Sequence, residues 1–264
     1  MKNTLSLLLF LFLLGCVQTV PITGRKQVSL ISEQELIGMS LTNYSQFLKE
    51  NKTLNSTEER TILVQKVGVK IRKAVEEFMH SKGLSKRLNG YQWEFNVVDN
   101  ATVNAWCMPG GKVVVYTGLL PVTQNEESLA IVMGHEIAHA VARHGNERMS
   151  QGMMVQVGGL ALSIALKDKP QVTKNIFLQS YGVGSQLGML KYSRNHESEA
   201  DKLGLVFAAM AGYNPNAAVG FWERMSQSGG GQKPPEILST HPSDETRIKD
   251  LKAFMPEAMK YYKP

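Results

Sequence analysis

Two histidines flank a glutamate in Met133-Gly134-His135-Glu136-Ile137-Ala138-His139-Ala140, the pattern H-E-x-x-H. On an α-helix, residues four apart share a face about one turn along. His135 and His139 therefore point the same way, and both imidazoles can reach one metal ion. Glu136 projects about 100° round from His135, beside such a metal rather than onto it, where a base for an attacking water must stand. Neutral imidazole suits zinc, and a catalytic zinc takes three protein ligands with one position open. The pattern alone also fits a helix that happens to carry those residues. The neighbouring stretches have to decide.

A third ligand has several candidates. The longer pattern H-E-x-x-H-x-x-G-x-x-H is not met, because the chain reads HEIAHAVARHG and His144 falls five residues past His139. His144 reads instead as a surface or capping histidine. Downstream, YSRNHESEAD places Glu197 and Asp201 four apart, on one helical face. One carboxylate could bind zinc while the other takes the free N–H of a ligand histidine and fixes its tautomer. The competing reading is an acidic helix start, favoured by the helix dipole.

HEIAH together with ESEAD resembles the pairing H-E-x-x-H plus E-x-x-x-D of the zinc metallopeptidases related to the CAAX prenyl protease and HtpX. NAWCMPGG (104–111), YSRNHESEADKLG (192–204) and STHPSDETRI (239–248) agree with it, so the resemblance covers the chain from about residue 25 to 252. Lacking several membrane-spanning helices, the chain looks most like the soluble periplasmic lipoprotein branch (LoiP-like). The resemblance implies one zinc ion per chain, bound by His135, His139 and Glu197. It makes Glu136 the general base, puts the Asp201 carboxylate behind a ligand histidine, and nominates His241 and Arg247 as donors to the oxyanion of the reaction. Read from the residues, Thr240 to Asp244 is a turn and helix start. If His241 reached the metal it would fill the open position and hold the enzyme latent. NAWCMPGG reads as an edge strand on which an extended substrate could pair through its main chain, with Asn104 and Ala105 the positions to name. Glu199 has no implied role and is expected in solvent; Cys107 is expected to be a buried side chain.

These residues need elements to position them. At 264 residues, 43% hydrophobic and 20% charged, the chain is an ordinary globular protein with one sizeable domain. A net charge of +6 with scattered basic residues and no basic run argues against nucleic acid as a partner. Ser32-Glu33-Gln34-Glu35 is a capping-box start, and a second helix is expected from about Thr57 to His80, burying Ile62, Leu63, Val67, Ile71, Val75 and Phe78. YQWEFNVV alternates, and 101–107 and 112–117 are further strands, the last two joined by the turn Met108-Pro109-Gly110-Gly111. Met149 to Leu190 reads as a helical hairpin, and SGGGQKPP as a flexible loop. The expected fold is α+β: a mainly helical gluzincin-like domain with a small antiparallel or mixed sheet bearing an edge strand.

At the N-terminus, LSLLLFLFLLG is shorter than the roughly 20 apolar residues of a spanning helix, and Leu13-Leu14-Gly15-Cys16 resembles a lipobox. That resemblance implies a signal peptide over 1–15, lipidation of Cys16, a tether and docking arm over 16–31, and a single peptidase domain over 32–264. Val17 after the cysteine implies an outer-membrane lipoprotein facing the periplasm, in a host with two membranes. With Cys16 lipidated, Cys107 is the only remaining thiol and no intramolecular disulfide is possible. The leading expectation is a lipid-anchored zinc endopeptidase acting on unfolded or misassembled envelope proteins. The alternatives are a peptidase-fold chaperone or assembly factor with little proteolysis, and a structural lipoprotein whose motifs are accidental.

Overall fold

A helix buried on every side organises the molecule. The computed structural model describes residues 17–157, 170–181, 193–227, 237, 241 and 245–264. Within it the HEIAH stretch lies on helix α3 (Glu126–Val141), whose residues from Ser128 to Val141 are all buried. Asn125 caps its start by accepting a hydrogen bond from the Ser128 N–H at 2.8 Å. Helix α2 (Glu59–Ser81), strand β4 (Ala105–Met108), helix α6 (Arg194–Met210) and helix α7 (Ala217–Gln227) pack around it. Such enclosure explains why the stretch is apolar almost all round.

The approach of α3 to α6 is closest where two glycines meet. A Cβ on Gly134 would lie 2.9 Å from the Gly204 carbonyl oxygen, and one on Gly204 would lie 2.8 Å from the His135 backbone nitrogen. Neither helix tolerates a side chain there, and the contact sets how far the histidines of α3 stand from the carboxylates of α6. Ser193 caps α6, its hydroxyl accepting from the His196 N–H at 3.2 Å.

The sheet is mixed, in the order β3–β5–β4, with β3 (Glu94–Val98) parallel to β5 (Lys112–Tyr116) and β4 antiparallel to β5. β4 is therefore an edge, as expected, though it begins at Ala105 rather than at 101. Pro109 followed by Gly110 at φ 82° closes the β4–β5 turn, with the Gly111 N–H donating to the Met108 carbonyl at 3.2 Å. Proline then a positive-φ glycine is the composition of a type II turn.

Helix α1 (Glu33–Glu50) begins with the expected capping box, Ser32 and Glu35 each accepting from the other's backbone N–H. In α2 the buried stripe is Val64, Val67, Ile71, Ala74, Val75, Phe78 and Met79, while Ile62 is exposed. Nine residues before Ile71, Ile62 falls half a turn round from that stripe, on the outer face it shares with the exposed Val69. Of the hairpin expected over 149–190, helices α4 (His144–Val157) and α5 (Pro170–Ser180) pack together, whereas 158–169 and 182–192 lie outside the described residues, as do 228–236 with the SGGGQKPP loop. Helix α8 (Glu245–Met259) completes the core beside α6 and α7.

The arm before α1 is folded onto the domain. β1 (Val17–Thr19) and β2 (Lys26–Val28) form an antiparallel hairpin, Val20 enters the main core, and Gln27 Nε2 donates to the Ala142 carbonyl at 2.9 Å. Residues 1–15 and Cys16 lie outside the described residues. Among those described, no helix is long and apolar enough to cross a membrane.

Candidate metal centre

Four buried donors converge on one point: His135 and His139 from α3, Glu197 from α6, and His241. Nε2 of His135 lies 3.0 Å from Nε2 of His139 and 3.2 Å from Nδ1 of His241. Oε1 of Glu197 lies 3.0 Å from that Nδ1 and 3.4 Å from Nε2 of His139. Ligand bonds of about 2.0–2.1 Å set at tetrahedral angles place donor atoms about 3.3 Å apart, which is the spacing found. Nitrogen lone pairs crowded this closely repel unless a cation or protons lie between them. The donor set of three imidazoles and one carboxylate is one that zinc accepts.

Hydrogen bonds behind the ligands aim them. Nδ1 of His135 lies 2.9 Å from Oδ1 of Asp201, so its proton sits there and the Nε2 lone pair faces the cluster. Arg247, from α8, donates to Asp201 at 2.8 and 2.6 Å, pairs with Glu197 at 3.0 Å, and lies over the Trp222 ring of α7 at 3.5 Å. Burial pulls the His135 imidazole down, but the bonds to Asp201 and Glu197 outweigh it and raise its pKa to about 9. Glu197 is held well below the usual carboxylate range, burial being outweighed by His241 and Arg247.

Glu136 stands beside the cluster. Burial pushes its carboxyl above the ordinary value, its Oε1 makes no hydrogen bond among the described residues, and Nε2 of His241 is 3.7 Å away. A raised pKa suits a general base at neutral pH. It faces β4 closely enough for its charge, after burial, to raise the Cys107 thiol. Cys107 is buried, as expected. Ala105 opens β4 and Asn104 immediately precedes it, both buried. Just before them the Val103 carbonyl accepts the Ile237 N–H at 3.3 Å, and the His241 N–H donates to the Ile237 carbonyl at 2.8 Å.

Two readings of the sequence require correction. His144 is fully buried rather than on the surface, with Nδ1 2.9 Å from Nδ1 of His139. In a continuous helix, five residues on from His139 lies about 140° away. Arg143 instead takes φ 64°, ending α3 and folding His144 back against His139. Glu199 is buried too, accepting from His144 Nε2 at 3.0 Å. The helical wheel of α6 shows which side Glu199 faces, but not that α4 and the N-terminal arm cover that side.

A family model described as peptidase family M48 matches residues 66–255. The chain belongs to peptidase family M48. These are zinc metallopeptidases, and the buried four-donor cluster fits that metal. Among its relatives, the mitochondrial metalloendopeptidase OMA1 of Schizosaccharomyces pombe is 32% identical over 245 residues, 92% of this chain and 67% of that protein. The human mitochondrial metalloendopeptidase OMA1 is 30% identical over 266 residues, 98% of the chain and 49% of the relative. The beta-barrel assembly-enhancing protease of Escherichia coli is 31% identical over 165 residues, 61% of the chain and 34% of the relative. The chain thus spans half to two thirds of the length of the two OMA1 proteins, and a third of the bacterial protease. The zinc metalloendopeptidase expected from the sequence agrees with this family. The expected location does not: relatives matched over nearly the whole chain are named as mitochondrial proteases, which overturns an outer-membrane lipoprotein facing the periplasm.

Proposed function

We propose that this M48 protein is an endopeptidase that hydrolyses peptide bonds of unfolded or misassembled proteins, envelope proteins among them. The observation that carries the reading is Glu136, a buried carboxyl of raised pKa beside a cluster of His135, His139 and Glu197. Zinc held by those three would polarise the scissile carbonyl and lower the pKa of a water towards about 7. Glu136 takes the proton of the attacking water and passes it to the departing amine nitrogen. Asp201 holds the His135 tautomer, and Arg247 keeps Asp201 and Glu197 charged and in place. With its guanidinium committed to those carboxylates, Arg247 serves the ligands rather than the oxyanion. The edge of β4 near Asn104 and Ala105 takes an extended substrate through main-chain bonds, which reads little of its sequence. The name of the bacterial relative supports envelope substrates; anchoring through lipid on Cys16 rests on Leu13–Cys16 alone.

One observation favours a latent form of the same enzyme. His241 supplies a fourth donor, whereas a catalytic zinc keeps one position open, and Ile237 bonds the chain beside the strand edge a substrate needs. A chaperone or assembly factor with little proteolysis is the corresponding alternative. The test is cleavage of unfolded casein by the wild type, by the wild type with a chelator, by Glu136→Gln and by His241→Ala. Cleavage abolished by chelator and by Glu136→Gln, and accelerated about tenfold or more by His241→Ala, is expected. Folded, zinc-loaded His241→Ala that leaves casein intact argues for the chaperone.

A further inference from the structure

His139 faces the metal cluster through Nε2, and a chain of buried side chains leads away from its other nitrogen. Nδ1 of His139 lies 2.9 Å from Nδ1 of His144, and Nε2 of His144 lies 3.0 Å from Oε2 of Glu199. The carboxylate fixes the protons along this line. Glu199 accepts, so His144 donates from Nε2. The two Nδ1 atoms, 2.9 Å apart, have room for one proton between them, and His144 spends its own on Glu199 through Nε2. His139 must then donate from Nδ1, and its Nε2 lone pair is turned to the metal.

Glu199 is itself held by the N-terminal hairpin. Thr23 Oγ1 donates to its Oε1 at 2.7 Å, and Arg25 donates to both its oxygens at 2.9 and 3.0 Å. The same guanidinium spans Glu147 of α4 at 2.9 and 2.8 Å, and Glu147 accepts from His196 Nε2 at 3.0 Å. His196 stacks on His144, with ring centroids 4.7 Å apart. One arginine thus bridges two buried carboxylates, and the carboxylate nearer the metal dictates the tautomer of two imidazoles.

We infer that His144, Glu199 and Arg25 are positioning residues of the metal centre, and that zinc affinity therefore depends on the docking of residues 17–28. This rests on the reading of the four-donor cluster as a zinc site. None of the three touches the reacting atoms. The hairpin, which the sequence presents as a tether, is an outer support of His139.

The test uses the full chain and two readouts: the zinc dissociation constant by competition with a chromogenic chelator, and the visible absorption of the cobalt(II)-loaded protein. The cobalt spectrum reports ligand geometry, which a purely structural role would not move. His144→Leu is expected to weaken zinc by about 10–100-fold and shift the cobalt bands. His144→Gln, whose carbonyl can accept from His139, should recover part of the loss. Arg25→Ala should weaken zinc by about tenfold, the low end of that range. Arg25→Lys should not restore it, because an ammonium cannot span two carboxylates. Lys26→Ala changes an exposed side chain of the same hairpin and should bind as the wild type does. Wild-type affinity and spectrum in both folded His144→Leu and Arg25→Ala would overturn the inference. If His144→Leu fails to fold, Arg25→Ala, on the partly exposed rim, decides alone. A wild type that binds no zinc would instead sink the metal centre, and this inference with it.

Discussion

Replacing Gly204 by alanine should damage the metal site although the residue is no ligand. Its Cβ would sit 2.8 Å from the His135 backbone nitrogen and 3.0 Å from the His135 Cα. Both are main-chain atoms of a buried helix and cannot swing aside. Reaching an ordinary contact of 3.4 Å requires α3 and α6 to part by about 0.6 Å. Metal–ligand distances tolerate about 0.2 Å, so Glu197 and the two histidines of α3 can no longer share one ion at full strength. Overpacking costs about 1–3 kcal/mol, while alanine in a helix returns about 1 kcal/mol. The metal-free variant should therefore lose about 0–2 kcal/mol and its zinc affinity should fall at least about tenfold, or 1.4 kcal/mol. Gly38→Ala in α1, where a Cβ meets nothing within 4 Å, is the control and should gain about 0.4–1 kcal/mol. Thermal unfolding of the metal-free proteins and chelator competition measure both quantities. If Gly204→Ala is stabilised as Gly38→Ala is and keeps wild-type zinc affinity, the glycine contact does not set the site.

Other side chains give sharper local effects. Arg247→Ala strands Asp201 and Glu197 as buried carboxylates, at a cost of about 3–5 kcal/mol. That lowers the unfolding midpoint by about 6–20 °C for a domain of this size, and calorimetry of the metal-free protein would expose a smaller loss. Glu147 has its folded pKa depressed to about 2 from 4.5, burial being outweighed by its bonds to His196 and Arg25. Its stabilisation is full above pH 4.5 and is lost as pH falls from there towards 2. Urea unfolding of the metal-free protein should therefore show a steeper loss of stability from pH 5 to 3 in the wild type than in Glu147→Gln; equal slopes would contradict the assignment. Cys107 is buried with its thiol pushed well above the ordinary value by burial and then by Glu136. It should resist a maleimide in the native protein and react on unfolding, whereas fast native labelling would show an open β4 face.

What the sequence made legible follows from how local each signal is. The capping box at Ser32 and the proline–glycine turn after β4 are decided by a few neighbouring residues, and both formed where expected. His135, Glu136 and His139 share one helix, and Glu197 with Asp201 another, so helical spacing alone gives each half of the site. Their meeting depends on the Gly134–Gly204 contact, which spacing does not encode. His144 and Glu199 were misread for the same reason. The fold of Arg143 into the left-handed region and the layer formed by Arg25 decide their surroundings, and neither is visible from the helix that carries them. Ile62 is a different case: it is apolar, but nine residues before Ile71 it falls half a turn out of phase with the buried stripe and faces outward.

The central claim is that His135, His139, Glu197 and His241 hold one zinc ion. Zinc-edge X-ray absorption on metal-replete protein, with stoichiometry measured on the same sample, tests it most directly. The account predicts one zinc per chain in a four-coordinate shell of three imidazole nitrogens and one oxygen at about 2.0–2.2 Å, with one imidazole replaced by a lighter oxygen donor in His241→Ala. Sub-stoichiometric zinc, or a shell without imidazole scattering, would contradict it.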